Sequence, residues 1–183
     1  MKRYQVAVVV GSLRKDSLNQ AFADALVKLA PENVTFTFAP IGDLPLYNQD
    51  DDVHPPEAAN RFKAIIEKSQ AVLFVTPEYN RSIPGVLKNA IDHGSRPYGE
   101  SVWAGKPTAV VGVSIGVIGT ALAQQHLRTI LTALDMPTMG QPEIYIQAKD
   151  GLIDPDGNIG ADSRAFLQGW MDRFVAWVTV HNN

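Results

Sequence analysis

Cysteine is absent from the 183 residues. Its absence excludes disulfides, thiolate nucleophiles, Fe–S clusters and Cys-ligated zinc. Any redox chemistry therefore needs a carrier other than a thiol. Excess basic charge is also missing: 16 Lys and Arg face 19 Asp and Glu, a net charge of −3. Such a chain has no cationic track for a polynucleotide, so no nucleic-acid partner is expected. No stretch approaches the roughly 20 apolar residues of a membrane span, so no membrane partner is expected either. The four histidines, His54, His93, His126 and His181, are scattered without metal-ligand spacing. Asp50-Asp51-Asp52 lacks the Asp-x-Asp-x-Asp-Gly pattern of a cation loop. No metal is expected. Internal repeats and low-complexity segments are absent too.

What is present is material for one core. Apolar residues make up 45% and charged residues 19% of a length that fits one domain, residues 1–183. The basic residues 2 and 3 lead into an apolar run over 6–10. That run is too short for a secretory signal and no small-residue cleavage site follows, so a cytoplasmic chain is expected.

Continuous β-branched runs mark strands buried on both faces at 5–10, 71–75 and 108–114. Residues 34–38 alternate, and 143–146 read as a short fifth strand. Helical spacing runs over 17–30, 57–69, from Pro84 through Ile91, over 119–134, and over 165–178 with Phe166, Trp170, Phe174 and Trp177. Residues 39–56, rich in Pro and Asp, read as a long loop, and Asp154-Pro155-Asp156-Gly157 as a turn. Strands alternating with helices predict an α/β three-layer sandwich around a five-stranded parallel sheet. The order 2-1-3-4-5 is chosen because it places a switch point between the first and third strands, where ligands bind outside the carboxyl ends.

Three loops then carry the chemistry. The first, Gly11-Ser12-Leu13-Arg14-Lys15-Asp16-Ser17-Leu18-Asn19, joins a buried strand to a helix N-terminus. Free N–H groups and the helix dipole favour a phosphate there. Ser12, Ser17 and Asn19 add neutral donors, and Arg14 a cationic fork. The plainer reading is a Ser17–Gln20 capping box with solvated Arg14 and Lys15. Neither G-x-G-x-x-G nor G-x-x-x-x-G-K-[ST] is present. In the second loop, Pro77 and Pro84 bracket Glu78-Tyr79-Asn80-Arg81-Ser82. A stiff loop of this kind can lie along a planar heteroaromatic ring, or simply cap a helix at Ser82. Asn80-Arg81-Ser82 also matches a glycosylation sequon, read here as chance. The third, Gly112-Val113-Ser114-Ile115-Gly116, matches G-x-S-x-G. It permits a serine hydrolase with Ser114 as nucleophile, Asp135 or Asp150, and His181. Equally, Gly116 and Gly119 can let the backbone approach a ligand. His126 reads as a packing or surface residue, and Trp170 and Trp177, at helical spacing, as core or interface residues.

Together, the GSLRKDSLN stretch at 11–19 and TPEYNRSIPGVLKNAID at 76–92 resemble the NADPH-dependent FMN reductases of the flavodoxin-like superfamily. GKP at 105–107 and SIGVIG at 114–119 support the likeness, which is nearest to the bacterial quinone and chromate reductase branch. The resemblance implies FMN as cofactor and NADPH or NADH as co-substrate. It implies ping-pong transfer to quinones, chromate or other soluble acceptors, with no catalytic side chain assigned. By the same resemblance, Ser12, Arg14, Ser17, Leu18 and Asn19 hold the phosphate. Pro77, Glu78, Tyr79 and Asn80 line the isoalloxazine, partly through main-chain N–H groups, and Ser114 and Gly116 approach from the third loop. A homodimer is implied, and a homotetramer built from it. Arg81, Arg96 and Tyr98 are candidates to reach a partner or the nicotinamide. Glu143 resembles an interface position, although Leu122 and Gln125 depart from the Arg and Tyr of relatives. A flavodoxin-like electron carrier remains the other flavin-binding reading, disfavoured by the modest negative charge.

Overall fold

A computed structural model describes residues 2–183. The chain runs β1 (Tyr4–Val10), α1 (Leu18–Val27), β2 (Val34–Phe38), α2 (Glu57–Lys68), β3 (Ala71–Val75) and α3 (Gly85–Gly94). It continues with β4 (Thr108–Val111), β5 (Val113–Ser114), α4 (Ala121–Ala133), β6 (Ile146–Gln147) and α5 (Ala161–His181). The loop after β2 contains one 3₁₀ turn, Gln49–Val53.

β1, β2, β3 and β4 form a parallel sheet in the order β2-β1-β3-β4. β1 is central because its Val run can be covered on both faces. Alternate residues divide between two cores. Val6, Val8 and Val10 pack with Phe22 and Leu26 of α1 and Trp170 and Phe174 of α5. Ala7 and Val9 pack with Phe62 and Ile66 of α2, Leu87 and Ile91 of α3, and Leu127 and Leu131 of α4. The result is the expected three-layer flavodoxin-like sandwich, with its switch point between β1 and β3.

The fifth strand differs from expectation. Residues 143–146 do not extend the main sheet. Its place is filled in two pieces by a chain that Pro137, Gly140 and Pro142 interrupt. Near the start of β4, Thr108 donates its N–H to Pro137 O (2.8 Å) and accepts from Met139 N–H (2.8 Å). Near its end, β6 pairs with β5 in a separate two-stranded sheet. Proline supplies no ladder donor, so a regular strand cannot pass through this stretch. The expected strand 108–114 is itself split at Gly112. A Cβ there would stand 2.0 Å from Thr76 O and 2.5 Å from Thr120 Oγ1, so only glycine allows this approach.

The last helix begins at Ala161, four residues before the expected start at 165, and runs 21 residues. Its buried face is Leu167, Trp170, Met171, Phe174 and Val178, whereas Phe166 is exposed. α1 ends at Val27 and not at residue 30, and its last apolar residues continue into a turn.

Candidate functional site

The loops after β1, β3 and β5 lie together at the carboxyl ends of the strands. Gly11 brings the first against the second. Its N–H donates to Val75 O (2.9 Å), and a Cβ would meet Thr76 Oγ1 at 2.9 Å.

In the first loop, Ser17 has extended backbone and its Oγ accepts the N–H of Gln20 (3.2 Å). This is the N-cap of α1. The expected reciprocal half of the box is absent, because Gln20 Nε2 donates to Asp24 instead (3.1 Å). Asn19 is a second correction. Its buried amide donates to Val113 O (2.9 Å) and accepts from Val113 N–H (2.9 Å), clamping α1 to β5. The side chain is therefore spent within the scaffold. What Leu18 and Asn19 offer is their main-chain N–H groups, which the first helical turn leaves without intrahelical acceptors. The exposed Arg14 guanidinium has no carboxylate partner among the described residues. Ser12 Oγ makes only a long contact to Arg14 N–H (3.4 Å). A hydroxyl, a free guanidinium and convergent N–H groups form a donor set suited to a phosphate monoester. A cleft of about 270 Å³ opens beside Ser12 and Leu13, floored by Val8, Val10 and Phe38.

The second loop is a tight hairpin. Tyr79 N–H donates to Ser82 O (2.9 Å) and Ser82 N–H to Tyr79 O (3.0 Å). Asn80 (φ 51°) and Arg81 (φ 65°) sit at the corner, both in the left-handed region that a two-residue turn demands. Asparagine tolerates that region, while arginine is strained there. The Tyr79 N–H is therefore not available to a ring, a third correction. The N–H groups of Glu78 and Asn80 carry no partner among the described residues. Pro77 O accepts from Thr76 Oγ1 (2.8 Å), which stiffens the loop's first residues. Tyr79 stands half-exposed at the flank. The Glu78 carboxylate faces away from this edge. Its Oε2 accepts from Leu122 N–H (3.0 Å) and Ala123 N–H (3.1 Å) at the start of α4. His126, read from sequence as a packing or surface residue, meets Ser82 Oγ through Nδ1 (3.0 Å). Glu78 lies 44 residues before Leu122, so no local pattern could have shown this cap.

In the third loop, Ser114 Oγ accepts from Gly116 N–H (3.0 Å) and Ser114 O from Ala148 N–H (2.7 Å). Gly119 (φ 65°) turns against the backbone of Tyr145 and Ile146, where a Cβ would meet Tyr145 C at 2.8 Å. Between them Ile115 and Val117 are 79% and 84% exposed. The hydrolase reading finds no support. His181 donates its Nδ1–H to Trp177 O (2.9 Å), and its neighbour Asn182 donates Nδ2–H to Gln70 O, at the amino end of β3. Ser114 and His181 thus occupy opposite ends of the sheet.

The remaining candidates lie outside these loops. Arg96 stands over the Tyr47 ring (6.0 Å), and Tyr98 is almost wholly exposed. Burial and the hydroxyl's bond to Asp52 push the Tyr47 pKa up. Glu143 accepts from the Tyr145 hydroxyl (2.7 Å) and faces Arg128 (3.3 Å). Burial, reinforced by that carboxylate, raises the Tyr145 pKa. No cluster of potential metal ligands occurs, and no helix is long and apolar enough to cross a membrane, among the described residues.

The profile of the NADPH-dependent FMN reductase family matches residues 4–150. The chain is 55% identical over 175 residues to a 2-hydroxy-1,4-benzoquinone reductase of Burkholderia sp, covering 95% of this chain and 96% of that one. It is 55% identical to a quinone reductase of Pseudomonas putida over 97% of this chain and 96% of the relative. Among solved structures, FerB, a flavoenzyme NAD(P)H:(acceptor) oxidoreductase from Paracoccus denitrificans, superposes with a TM-score of 0.93 at 50% identity, covering 97% of this chain and 98% of that one. These matches show that the chain belongs to the NADPH-dependent FMN reductase family.

Proposed function

We propose that this chain is an FMN-dependent NAD(P)H oxidoreductase whose acceptors are quinones. The observation that carries the reading is the donor set at 11–19, built for a phosphate monoester beside the rigid edge at 77–80. The residues fit FMN: Ser12, Arg14 and the N–H groups of Leu18 and Asn19 hold the phosphate, while Ser17 caps the helix that presents them. Pro77 and the free N–H groups of Glu78 and Asn80 form the shelf for the ring edge. Tyr79 flanks the shelf, and Ser114 and Gly116 form the opposite wall. Bound FMN supplies the hydride and electron exchange between nicotinamide and acceptor.

The protein's share is binding and orientation. Neutral and cationic donors converge on one end of the site, and uncharged main chain lines the other. Half-exposed Tyr79 leaves the open side accessible to planar substrates. NADPH or NADH and the acceptor use that side in turn, which gives ping-pong kinetics. The quinone reductase names of the relatives support quinones as acceptors. Chromate, implied by the resemblance alone, is proposed as a secondary acceptor. No catalytic side chain is assigned. Leu13, Ile115, Val117 and Ile118 expose apolar surface beside the site, which favours a homodimer in which a second copy covers part of it, and a homotetramer of such dimers. A cytoplasmic location fits the cysteine-free composition.

The test is the visible spectrum of the purified protein, before and after anaerobic NADPH. A yellow protein that releases FMN in acid, bleaches with NADPH and recovers with 1,4-benzoquinone is the expected result. A protein that stays colourless after incubation with FMN overturns the reading.

A further inference from the structure

The Glu78 carboxylate is engaged by groups that the proposed cofactor contacts do not use. It is only 11% exposed. One oxygen accepts both Leu122 N–H and Ala123 N–H, so it caps α4 from a different loop. Thr120, the residue at the N-cap position, makes no side-chain cap of its own. The other oxygen faces Arg81 Nη1 at 3.9 Å. A turn later along α4, His126 Nδ1 meets Ser82 Oγ (3.0 Å). The hairpin at 78–82 is therefore pinned at two points along the helix. That helix follows directly from the glycine loop at 114–119. The hairpin needs such support, because two of its residues without glycine's freedom, Asn80 and Arg81, are held at positive φ.

We propose that Glu78 is a positioning residue that locks the ring-binding hairpin and the glycine loop into one rigid seat. Its main-chain N–H faces the ligand side, while its side chain ties that strand of backbone to the helix behind the opposite wall. A carboxylate suits this place because it accepts two N–H groups and meets the positive end of the helix dipole. Removing it frees the hairpin to relax its strained corner, which moves the Asn80 N–H away from the ring edge. The inference rests on the FMN reading above and adds to it a residue that acts through the loop and not by touching substrate.

The experiment compares Glu78→Ala, Glu78→Gln and a remote control, Lys106→Ala. Lys106 donates to Ser69 O (2.6 Å) at the amino end of the sheet, so its loss destabilises the fold away from the site. Each variant is titrated as apoprotein with FMN by flavin fluorescence, and the visible circular dichroism of the bound flavin is recorded alongside a thermal melt. Glu78→Ala is expected to weaken FMN binding about tenfold or more and to change the flavin dichroism. Glu78→Gln keeps an oxygen acceptor for both N–H groups and is expected to recover the wild-type dichroism, with binding within about threefold. Lys106→Ala is expected to lower the melting temperature with FMN binding unchanged. Wild-type affinity and dichroism in Glu78→Ala, with only the melt lowered, overturns the proposal and leaves Glu78 a simple cap. A Gln variant as impaired as Ala also overturns the positioning role as stated. If the wild-type apoprotein itself fails to bind FMN, the FMN reading fails, which is a separate result. Should Glu78→Ala not fold, the second tie decides: Ser82→Ala must shift the flavin dichroism in the same sense, and an unchanged spectrum overturns the proposal.

Discussion

The two ends of the same sheet are built differently. At the amino ends of the strands, the chain is closed by side chains that reach across elements. Gln5 N–H donates to Gln70 Oε1 (2.8 Å), Asn182 Nδ2 to Gln70 O (3.2 Å) and Lys106 Nζ to Ser69 O (2.6 Å). Trp103, fully buried, donates to Ile91 O (2.9 Å) and packs edge-on against Phe62. At the carboxyl ends, the loops keep N–H groups and an arginine, Arg14, without partners among the described residues, two residues at positive φ, and bare apolar side chains. A helix or strand interior satisfies its own backbone, and only the loop ends leave donors for a ligand. The closed end holds the sheet rigid, and the open end displays what the rigidity positions. The two properties should therefore respond separately to mutation.

Trp103→Ala would test the closed end most severely. The indole fills the space over Gly94, where a Cβ would come within 2.5 Å of it. Its loss should cost about 3–5 kcal/mol in a urea titration. FMN affinity of the fraction that remains folded should be unchanged, and a large loss of affinity would break the separation.

Arg14→Ala makes the converse change. The side chain is exposed and unpaired, so stability should move by no more than about 0.5 kcal/mol. FMN binding, read by fluorescence titration, should fall about 10- to 100-fold, the loss of a charge-assisted contact. Unaltered affinity would remove Arg14 from the phosphate site.

The smallest effect concerns pH. Asp154, in a turn beside Lys28, accepts N–H groups from Asn158 (2.8 Å) and Asp156 (3.0 Å). The main-chain bond from Asn158 leads the causes that hold its pKa below the ordinary 3.8. A carboxyl with a depressed pKa adds stability above its unfolded value, and that contribution fades as pH falls through the folded one. Asp154→Asn should therefore narrow the gap in melting temperature between pH 7 and pH 3, and leave FMN binding at pH 7 unchanged. An equal gap in both proteins would show that another group governs the acid limb.

Much of this organisation is legible in the sequence. The Val run at 6–10, the apolar stretch at 71–75 and the helical periodicity between them specify buried parallel strands and amphipathic crossovers. The three loops are legible as well, because Gly, Pro and Ser interrupt those patterns where the sheet must turn. The fifth strand departs from its expected place because the pairing of this stretch depends on which N–H groups Pro137 and Pro142 leave, which the short run at 143–146 does not show. The start of α5 is not legible in the sequence because Ala161–Arg164 carry no apolar period, and helix continuation there depends on the packing of the later turns.

At the site, the residue types were readable but not their duties. Asn19 and Glu78 look like ligand contacts in a linear motif, yet their side chains fasten α1 to β5 and the hairpin to α4. Their partners, Val113 and Leu122, lie 94 and 44 residues away. Tyr79 likewise keeps its side chain at the flank but gives its N–H to Ser82. By itself, then, the sequence determined the layered α/β fold, the switch point, the three loops and the family, because periodicity and turn chemistry are local properties of the chain. Only the tertiary structure decided which polar groups remain free for a ligand, since a donor is available only after every long-range partner within the folded chain has been satisfied.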